Sequence, residues 1–168
     1  MPPDVIQPLH RGLDRSGFTC EEPALTTWFQ QQARQQQDRG LSRTFVLMDE
    51  NNESNQQIVG FYSLSATSVN RANLPENLRS TYPEIPAILI GRLARDERYK
   101  GKGIGKLLFA DAIKRCANVA QHVGVALLIV DPKNQALAEY YSRIGFYPMV
   151  NDSMYWIPLK DAIHNKKP

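Results

Sequence analysis

Two segments of the chain place apolar residues at the three- and four-residue spacing of an amphipathic helix. The first covers residues 22–39, with Pro23 near its start and Gly40 after its end. The second covers residues 104–123 and is followed by Gly124. The apolar positions are Leu25, Trp28, Phe29, Ala33, Ile104, Leu107, Leu108, Ala112, Cys116, Val119 and Val123. The pattern predicts two helices, the second of about five turns and closed by a glycine cap.

Shorter runs of β-branched and apolar residues predict strands. These runs cover residues 44–48, 57–69, 87–95, 125–130, 146–148 and 154–159. The polar segment 49–56 suggests a hairpin between the first two strands, and 71–86 is expected to be loop or short helix. A third helix is predicted over 134–143. The order helix, three strands, helix, strand, helix, two strands predicts a three-layer α/β sandwich around a mixed sheet.

Length and composition indicate one ordinary globular domain. The chain has 168 residues, of which 42% are hydrophobic and 22% charged, which suits a soluble protein with a single core. We expect one domain over residues 1–168, with its core at about 9–159 and a C-terminal tail at 160–168. No apolar run approaches the ~20 residues of a membrane helix, and the N-terminal residues lack an apolar secretion signal. The sequence therefore predicts a cytoplasmic protein with no membrane partner.

The potential metal ligands are scattered along the chain. Cys20 and Cys116 have no partners at metal-ligand spacing, and the three histidines are His10, His122 and His164. Cys116 falls on the apolar stripe of the second helix, which predicts a small buried side chain. We assign no metal site.

Positive charge is concentrated in one segment. The net charge is only +3, but residues 92–115 carry eight basic and three acidic side chains. A net charge of this size does not by itself indicate a nucleic-acid binder. Because the basic residues surround several glycines, a phosphate-bearing ligand is expected there, with a solvated helix face as the plain alternative.

The centre of this segment reads Arg-Tyr-Lys-Gly-Lys-Gly-Ile-Gly-Lys over residues 98–106. It follows a predicted strand and opens the second long helix. Glycines at alternate positions allow backbone N–H groups to converge on an anion, and the positive end of the helix dipole points the same way. The segment therefore predicts a diphosphate site.

Two common phosphate motifs do not fit these residues. A P-loop needs glycine where Lys100 stands and serine or threonine where Leu107 stands. The dinucleotide pattern GxGxxG fails because its last position is Lys106 or Leu108, depending on the starting glycine. A purely structural strand-to-helix turn remains the alternative.

The segment resembles motif A of the GNAT superfamily of acetyltransferases, [Q/R]-x-x-G-x-[G/A], through Arg98, Gly101 and Gly103. Residues 134–146 resemble its motif B, N-x-x-A-x-x-x-Y-x-x-x-G-F, with Leu137 in place of the usual small residue. The resemblance implies the GNAT fold, a mixed twisted β-sheet of six to seven strands flanked by helices. It also implies acetyl-CoA as the cosubstrate.

The resemblance assigns cofactor-binding roles to particular residues. Main-chain groups of the strand before motif A hold the pantetheine arm and the acetyl carbonyl, and motif A amides hold the diphosphate. Asn134 bonds the cofactor arm in this family, although a simple helix N-cap is an equally plain reading. Arg95 replaces a usually apolar residue, so its side chain could face substrate or solvent. The matching positions are Leu93, Ala94, Arg95, Lys100, Gly101, Lys102, Gly103, Ile104, Gly105, Lys106 and Asn134.

Tyr141 occupies the motif B tyrosine position and is the expected general acid. Its phenol, with an ordinary pKa of about 10, is protonated at neutral pH and can supply the leaving thiolate with a proton. Tyr140 is expected to serve in packing. No general base stands out, because Asp96 and Glu97 are expected in solvent at a strand end and Glu84 only precedes motif A.

The chain further resembles a toxin branch of the GNAT superfamily over roughly residues 9–159. The resembling segments are 18–21, 25–29, 40–46, 60–65, 91–94 and 146–148. Members of this branch acetylate the α-amine of aminoacyl-tRNA, block translation, are neutralised by ribbon-helix-helix antitoxins and are often homodimers. An amine of lowered pKa requires no strong base. Candidate tRNA contacts are Arg34, Arg39, Arg43, Arg71, Arg79 and Arg92.

Two other functions remain open from the sequence. The chain could acetylate a small-molecule amine or a protein amine, in which case its expression would be harmless. It could instead be a GNAT-fold module that binds CoA without catalysis, but Tyr141 and the complete glycine turn argue against that alternative.

Overall fold

The computed structural model describes residues 6–49, 57–76 and 82–164. The predicted turn at 49–56 therefore lies largely outside the described residues, as does Arg79. The strands are β1 (Ile6–Pro8), β2 (Arg43–Met48), β3 (Ile58–Asn70), β4 (Glu84–Arg95), β5 (Leu127–Val130), β6 (Tyr147–Pro148) and β7 (Tyr155–Pro158). The helices are α1 (Pro23–Gln31), α2 (Ala33–Asp38), α3 (Ile104–Val119), α4 (Gln135–Arg143) and α5 (Leu159–His164).

The strands form one seven-stranded sheet in the order β1-β2-β3-β4-β5-β7-β6. Strands β1 and β2 pair antiparallel, as do β2 and β3, and β7 pairs antiparallel with both β5 and β6. Strand β4 pairs parallel with β5, from Ala87 opposite Leu127 to Ile90 opposite Val130. The predicted mixed sheet of six to seven strands is confirmed, and β1 is the strand that the sequence analysis missed.

Contacts within the chain group into two compact units. The first contains residues 1–65 and 92–112, and the second contains residues 66–91 and 113–168. Strands β3 and β4 and helix α3 contribute residues to both units. The single-domain assignment stays a prediction.

Aromatic rings from α1 and β3 form the core of the first unit. Phe61 stacks on Phe29 with ring centroids 4.2 Å apart, and Trp28 and Phe18 lie 6.0 and 5.4 Å from Phe61. A Cβ on Gly60 would lie 2.8 Å from Leu108 Cδ1, so glycine is needed where α3 crosses β3. Because α1 is too short to be stable alone, it is stabilised by the burial of its aromatic face.

The core of the second unit combines residues of β3, β4, β5 and β7 with two residues from the connecting segments. Its buried members are Val69, Leu74, Ile85, Ala87, Leu127, Ile129, Met149 and Trp156. The predicted burial of Cys116 is confirmed, and burial raises the pKa of its thiol to about 12. This cysteine therefore serves as a small apolar side chain.

The predicted helix over residues 22–39 is two helices, because the chain leaves helical geometry at Gln32. Hydrogen bonds hold the second of them. Gln37 donates to Leu9 O at 2.9 Å and accepts from Thr44 N at 3.0 Å. The glutamine-rich segment is therefore held by hydrogen bonds that the side-chain amide of Gln37 forms with Leu9 and Thr44. Apolar periodicity does not reveal such bonds.

Two predicted boundaries at other helices are wrong. Helix α3 ends at Val119, and Val119 and Val123 are 41% and 62% exposed, so the buried stripe ends at Cys116. Gly124 is not among the positive-φ glycines and does not form the predicted cap. The predicted C-terminal tail begins as helix α5, which packs through buried Leu159 and Ala162. Within the described residues, no helix is long and apolar enough to span a membrane.

Candidate active site

Leu93, Ala94 and Arg95 are the last three residues of β4. Ala94 is buried, and its carbonyl oxygen lies 3.0 Å from the position that a Cβ of Gly60 would take. The next residue, Asp96, donates its backbone N–H to Val59 O at 2.7 Å. Strand β4 therefore stays tied to β3 up to the point where the glycine-rich turn begins.

The turn that follows contains two glycines in the left-handed region. Gly101 has φ of 78° and Gly103 has φ of 73°, values that side-chain-bearing residues adopt only with strain. Apart from the adjacent residues, no described residue has an atom within 4 Å of a Cβ built on either glycine. The conformation of the backbone, not close packing, therefore demands glycine at both positions.

Helix α3 begins at the end of this turn. Leu107 donates the first bond of the helix to Gly103 O at 3.2 Å. The N–H groups of the preceding residues in the first turn have no acceptor within the helix, and the helix dipole adds positive potential there. The side chains of Lys100, Lys102 and Lys106 are exposed around it. This arrangement suits a diphosphate, as the sequence predicts.

Asp96 is fully buried, so the prediction that it lies in solvent is wrong. Its Oδ1 accepts from Arg98 Nε at 2.8 Å, and its Oδ2 accepts from Arg98 Nη2 at 2.7 Å and from Thr19 N at 3.1 Å. Burial raises the pKa of Asp96, but these hydrogen bonds outweigh burial and hold the pKa below its usual range. The carboxylate therefore stays charged and anchors the start of the turn.

The guanidinium of Arg98, the first residue of motif A, faces this carboxylate. Besides Asp96, it donates to Gly17 O at 2.9 Å. Its side chain, although half exposed, thus holds residues 17–19 against the turn, whereas the three lysines around the turn are exposed. The sequence predicts Arg98 only as one of the cations around the glycines. It gives no role to Gly17 and Thr19, because the hydrogen bond from Thr19 to Asp96 spans 77 positions and leaves no local pattern.

Tyr99 fixes the turn from a second direction. Its hydroxyl donates to Asp49 Oδ2 at 2.6 Å, and Lys102 Nζ lies 5.3 Å from the centre of its ring. Burial and the bond to the Asp49 carboxylate raise the pKa of Tyr99 to about 12. The phenol therefore stays neutral and keeps its donor bond. Sequence analysis assigned Tyr99 no role.

The side chain of Arg95 turns towards the start of α1. Its Nη2 donates to Glu21 Oε1 at 3.1 Å, and its Nη1 is buried without a hydrogen-bond partner in the described part of the chain. The guanidinium thus pairs with a partly exposed carboxylate of this chain, and its role towards substrate stays a prediction.

Asn134 and Tyr141 both lie on helix α4, in the second unit. Asn134 is the N-cap of this helix, and its Oδ1 accepts from Leu137 N at 2.9 Å. The helix-cap alternative is therefore observed. The role of Asn134 towards a cofactor stays a prediction.

Tyr141 is buried, with 9% of its surface exposed. Its ring lies 5.5 Å from that of Phe146 and meets Tyr140 edge to face at 5.6 Å. Burial, with a smaller contribution from Tyr140, raises the pKa of Tyr141 to about 12. The phenol is therefore protonated at neutral pH, as a general acid must be.

The acidic residues considered as bases are occupied or exposed. Glu84 is exposed and accepts from Ser68 Oγ at 2.9 Å and from Asn70 Nδ2 at 3.2 Å. Asp96 is held by Arg98 and Thr19, and Glu97 is exposed. Across residues 6–49, 57–76 and 82–164, no group of three or more His, Cys, Asp or Glu side chains could hold a metal ion.

Comparison with known proteins places the chain among acetyltransferases. The model of the acetyltransferase (GNAT) family matches residues 10–146. The tRNA-acetylating toxin of Mycobacterium tuberculosis (strain ATCC 25618 / H37Rv) is 32% identical over 151 residues, which cover 89% of this chain and 88% of that protein.

Solved structures that contain the toxin AtaT have the same fold. AtaT complexed with acetyl-methionyl-tRNAfMet matches with a TM-score of 0.85 and 28% identity, over 95% of this chain and 96% of that one. AtaTR bound with AcCoA matches at 0.82 and 28%, over 95% of both chains. A mutant AtaT bound to the C-terminus of the antitoxin AtaR matches at 0.81 and 26%, over 97% of this chain and 98% of that one. These likenesses confirm the fold predicted from motifs A and B.

Proposed function

This chain belongs to the acetyltransferase (GNAT) family, and we propose that it transfers an acetyl group from acetyl-CoA to the α-amine of aminoacyl-tRNA. Acetylation of this amine removes the nucleophile that peptide-bond formation needs, so the protein acts as a toxin of translation. Relatives described as a tRNA-acetylating toxin and as AtaT complexed with acetyl-methionyl-tRNAfMet support this acceptor.

The glycine-rich turn at the start of α3 is the observation that carries the proposal. Left-handed Gly101 and Gly103 present the backbone towards open space, and the first amides of a 16-residue helix follow directly. In the proposed complex, the main chain of residues 100–106 binds the diphosphate of acetyl-CoA. Leu93, Ala94 and Arg95 bind the pantetheine arm and the acetyl carbonyl through main-chain groups, and Asn134 contributes to the cofactor arm.

The reaction makes one bond and breaks one. The amine nitrogen attacks the thioester carbonyl, a main-chain N–H of β4 stabilises the negative oxygen, and the carbon–sulfur bond then breaks. Tyr141 gives its proton to the departing thiolate, the amine loses a proton to solvent, and the Tyr141 phenolate then takes a proton from solvent. A single preorganised donor to such an oxygen is typically worth about 3–4 kcal/mol of barrier. Tyr141 suits the acid role because its buried phenol remains protonated.

The acceptor explains the lack of an evident base. An α-amine next to an ester has a lowered pKa, so a large fraction is already neutral near pH 7. None of the three acidic residues considered in the described chain is placed as a free base, since Asp96 is buried in its own bonds and Glu84 and Glu97 are exposed. A simple alkylamine, protonated at neutral pH, would need such a base.

A toxin function leads to three further proposals. We propose that a ribbon-helix-helix antitoxin neutralises the protein, that it forms a homodimer and that it acts in the cytoplasm. The toxin AtaT bound to the C-terminus of the antitoxin AtaR supports an antitoxin partner.

A direct assay tests the function. Purified protein is incubated with acetyl-CoA and total aminoacyl-tRNA, and the aminoacyl ends are released and identified by mass spectrometry. N-acetylated aminoacyl ends are expected only when acetyl-CoA is present. Calorimetry with acetyl-CoA provides the control for cofactor binding. Acetylation of free polyamines with unmodified tRNA would contradict the acceptor, and the absence of acetyl-CoA binding would contradict the whole proposal.

A further inference from the structure

Arg92 lies over an aromatic ring near the end of β4. Its Cζ is 4.2 Å from the ring centre of Trp28 on helix α1, within the range of a cation–π contact. Trp28 is buried, with 5% of its surface exposed, and stacks against Phe61. The guanidinium is therefore held against a buried ring of the first unit, and Arg92 is half-buried.

Both partners in this contact have hydrogen-bond donors that the protein does not use. Trp28 Nε1 is buried and has no hydrogen-bond partner within the described residues. The side chain of Arg92 makes no hydrogen bond or ion pair to any described residue, and burial lowers the pKa of its guanidinium. The guanidinium nitrogens of Arg92 are not among the buried unpartnered atoms, so they face the surface with no acceptor from the described residues.

Unused donors in such a place are costly. A desolvated donor without an acceptor weakens the folded state, and buried polar groups in proteins are therefore nearly always paired. A desolvated cation without an anion has a further electrostatic cost. The cation–π contact with the Trp28 ring offsets part of that cost. The ring supplies no oxygen that could accept the guanidinium N–H groups. An anionic oxygen from a ligand would give the guanidinium the acceptor that the described residues do not provide.

The other arginines of the first unit are already paired or exposed. Arg98 is bound to Asp96, Arg95 to Glu21, and Arg34 lies 3.9 Å from Asp38. Arg15 donates to Phe29 O at 2.6 Å. Arg39 and Arg43 are exposed to solvent. Among the described arginines of this unit, Arg92 is thus the half-buried one that lacks a carboxylate or carbonyl partner.

We propose that Arg92, held over the ring of Trp28, binds a phosphodiester oxygen of the acceptor RNA near its aminoacylated end. The inference rests on the proposed function and selects one residue from the six cations that the sequence offered. A guanidinium suits this role because its planar fork binds two phosphate oxygens at once. The cofactor diphosphate has its own donors in residues 100–106, so it does not require Arg92.

The test compares Arg92→Gln with Arg11→Gln, a matched control at an exposed arginine of the same unit that is not among the candidate RNA contacts. Binding of uncharged total tRNA is followed by fluorescence anisotropy at several salt concentrations, and acetyl-CoA binding by calorimetry. Arg92→Gln is expected to weaken tRNA binding about tenfold and to reduce the slope of log K against log salt by about 1. Affinity for acetyl-CoA should not change, and KM for aminoacyl-tRNA should rise more than kcat falls.

Two further variants separate the phosphate contact from a structural role. Arg92→Lys keeps the charge but loses the fork, so it should retain the wild-type salt slope with intermediate affinity. Trp28→Phe keeps the aromatic platform and loses one neutral donor, so it should weaken binding slightly without changing the slope. These variants also carry the test if Arg92→Gln melts at a lower temperature than wild type.

The outcomes distinguish this inference from the proposed function. If the wild-type protein acetylates aminoacyl-tRNA but Arg92→Gln keeps its affinity and salt slope, the inference is wrong and the function stands. If Arg92→Gln weakens acetyl-CoA binding instead, the phosphate belongs to the cofactor and the assignment to RNA is overturned. If wild-type protein neither binds nor acetylates tRNA, both fail.

Discussion

The hydroxyl of Tyr141 is the smallest unit of the proposed chemistry, and its removal is the most direct test of it. Tyr141→Phe keeps the ring that packs against Phe146 and removes the proton donor. We expect kcat to fall at least tenfold, because a general acid typically contributes about 10²–10⁴-fold. The Kd for acetyl-CoA should be nearly unchanged.

Tyr140→Phe is the matched control, since Tyr140 lies one residue outside the motif and is only half-buried. Rates and calorimetry on both variants decide the assignment. An unchanged kcat in Tyr141→Phe would remove this residue from the mechanism.

The buried carboxylate of Asp96 leads to a pH-dependent prediction. Its folded-state pKa lies below the ordinary value of about 3.9, so its charge stabilises the fold above that pH. This stabilisation is lost as the pH falls through the lower folded-state pKa. Asp96→Asn should therefore be less stable at pH 7 by about 1–3 kcal/mol, with a difference that shrinks towards acid pH.

Urea unfolding of wild type and Asp96→Asn at pH 7 and at acid pH measures this difference. Glu97→Gln provides the control at a neighbouring exposed carboxylate. A stability difference that is equal at both pH values would show that shape, and not charge, accounts for the role of Asp96.

At the scale of the element, two glycines near the start of α3 are expected to serve different purposes. Gly103 allows the backbone conformation of the turn, and Gly105 leaves room for the ligand. Gly105 lies in α3 without a positive φ and with open space around it, whereas Gly103 has φ of 73°. Gly105→Ala should therefore keep or slightly raise the melting temperature, since alanine favours helix by about 1 kcal/mol. It should weaken acetyl-CoA binding about tenfold, because its methyl group obstructs the approach of the diphosphate to the main chain.

Gly103→Ala should instead lower stability, by about 1–2 kcal/mol, because its left-handed backbone strains any side chain. Thermal melts and calorimetry on the two variants test both statements. If Gly105→Ala bound acetyl-CoA like wild type, the diphosphate would not approach the first turn of α3.

The elements that the sequence predicted correctly are those whose signal is local. The glycine turn and the N-cap of α4 follow from residue types within a few positions, and α3 follows from its apolar spacing up to Cys116. The break at Gln32 could not be predicted in this way, because α2 is held by side-chain bonds to Leu9 and Thr44.

The parts of the candidate site that the sequence missed depend on distant partners. The burial of Asp96 depends on Thr19, which lies 77 positions away, and the contact of Arg92 with Trp28 joins a strand to a distant helix. A charged residue next to a turn normally predicts exposure. Only the folded chain shows which arginine already has a carboxylate and which has none.

At the scale of the whole molecule, charge predicts how the rate should depend on salt. The net charge is +3, and the segment from Arg92 to Arg115 is much more positive than the rest. If the acceptor is tRNA, binding releases counterions from the phosphates, so log(kcat/KM) for aminoacyl-tRNA should fall linearly with log salt. Each phosphate contact contributes a slope of about −0.7 to −0.9.

The measurement varies aminoacyl-tRNA at saturating acetyl-CoA, from low to moderate salt. The Kd for acetyl-CoA, measured at each salt concentration, shows how much of the change comes from the cofactor, which also carries phosphates. At saturating acetyl-CoA, a positive surface that only served the cofactor would leave kcat/KM for aminoacyl-tRNA independent of salt. A steeper dependence for tRNA therefore requires further cations on this chain to contact RNA, and a rate that ignores salt would exclude tRNA as the acceptor.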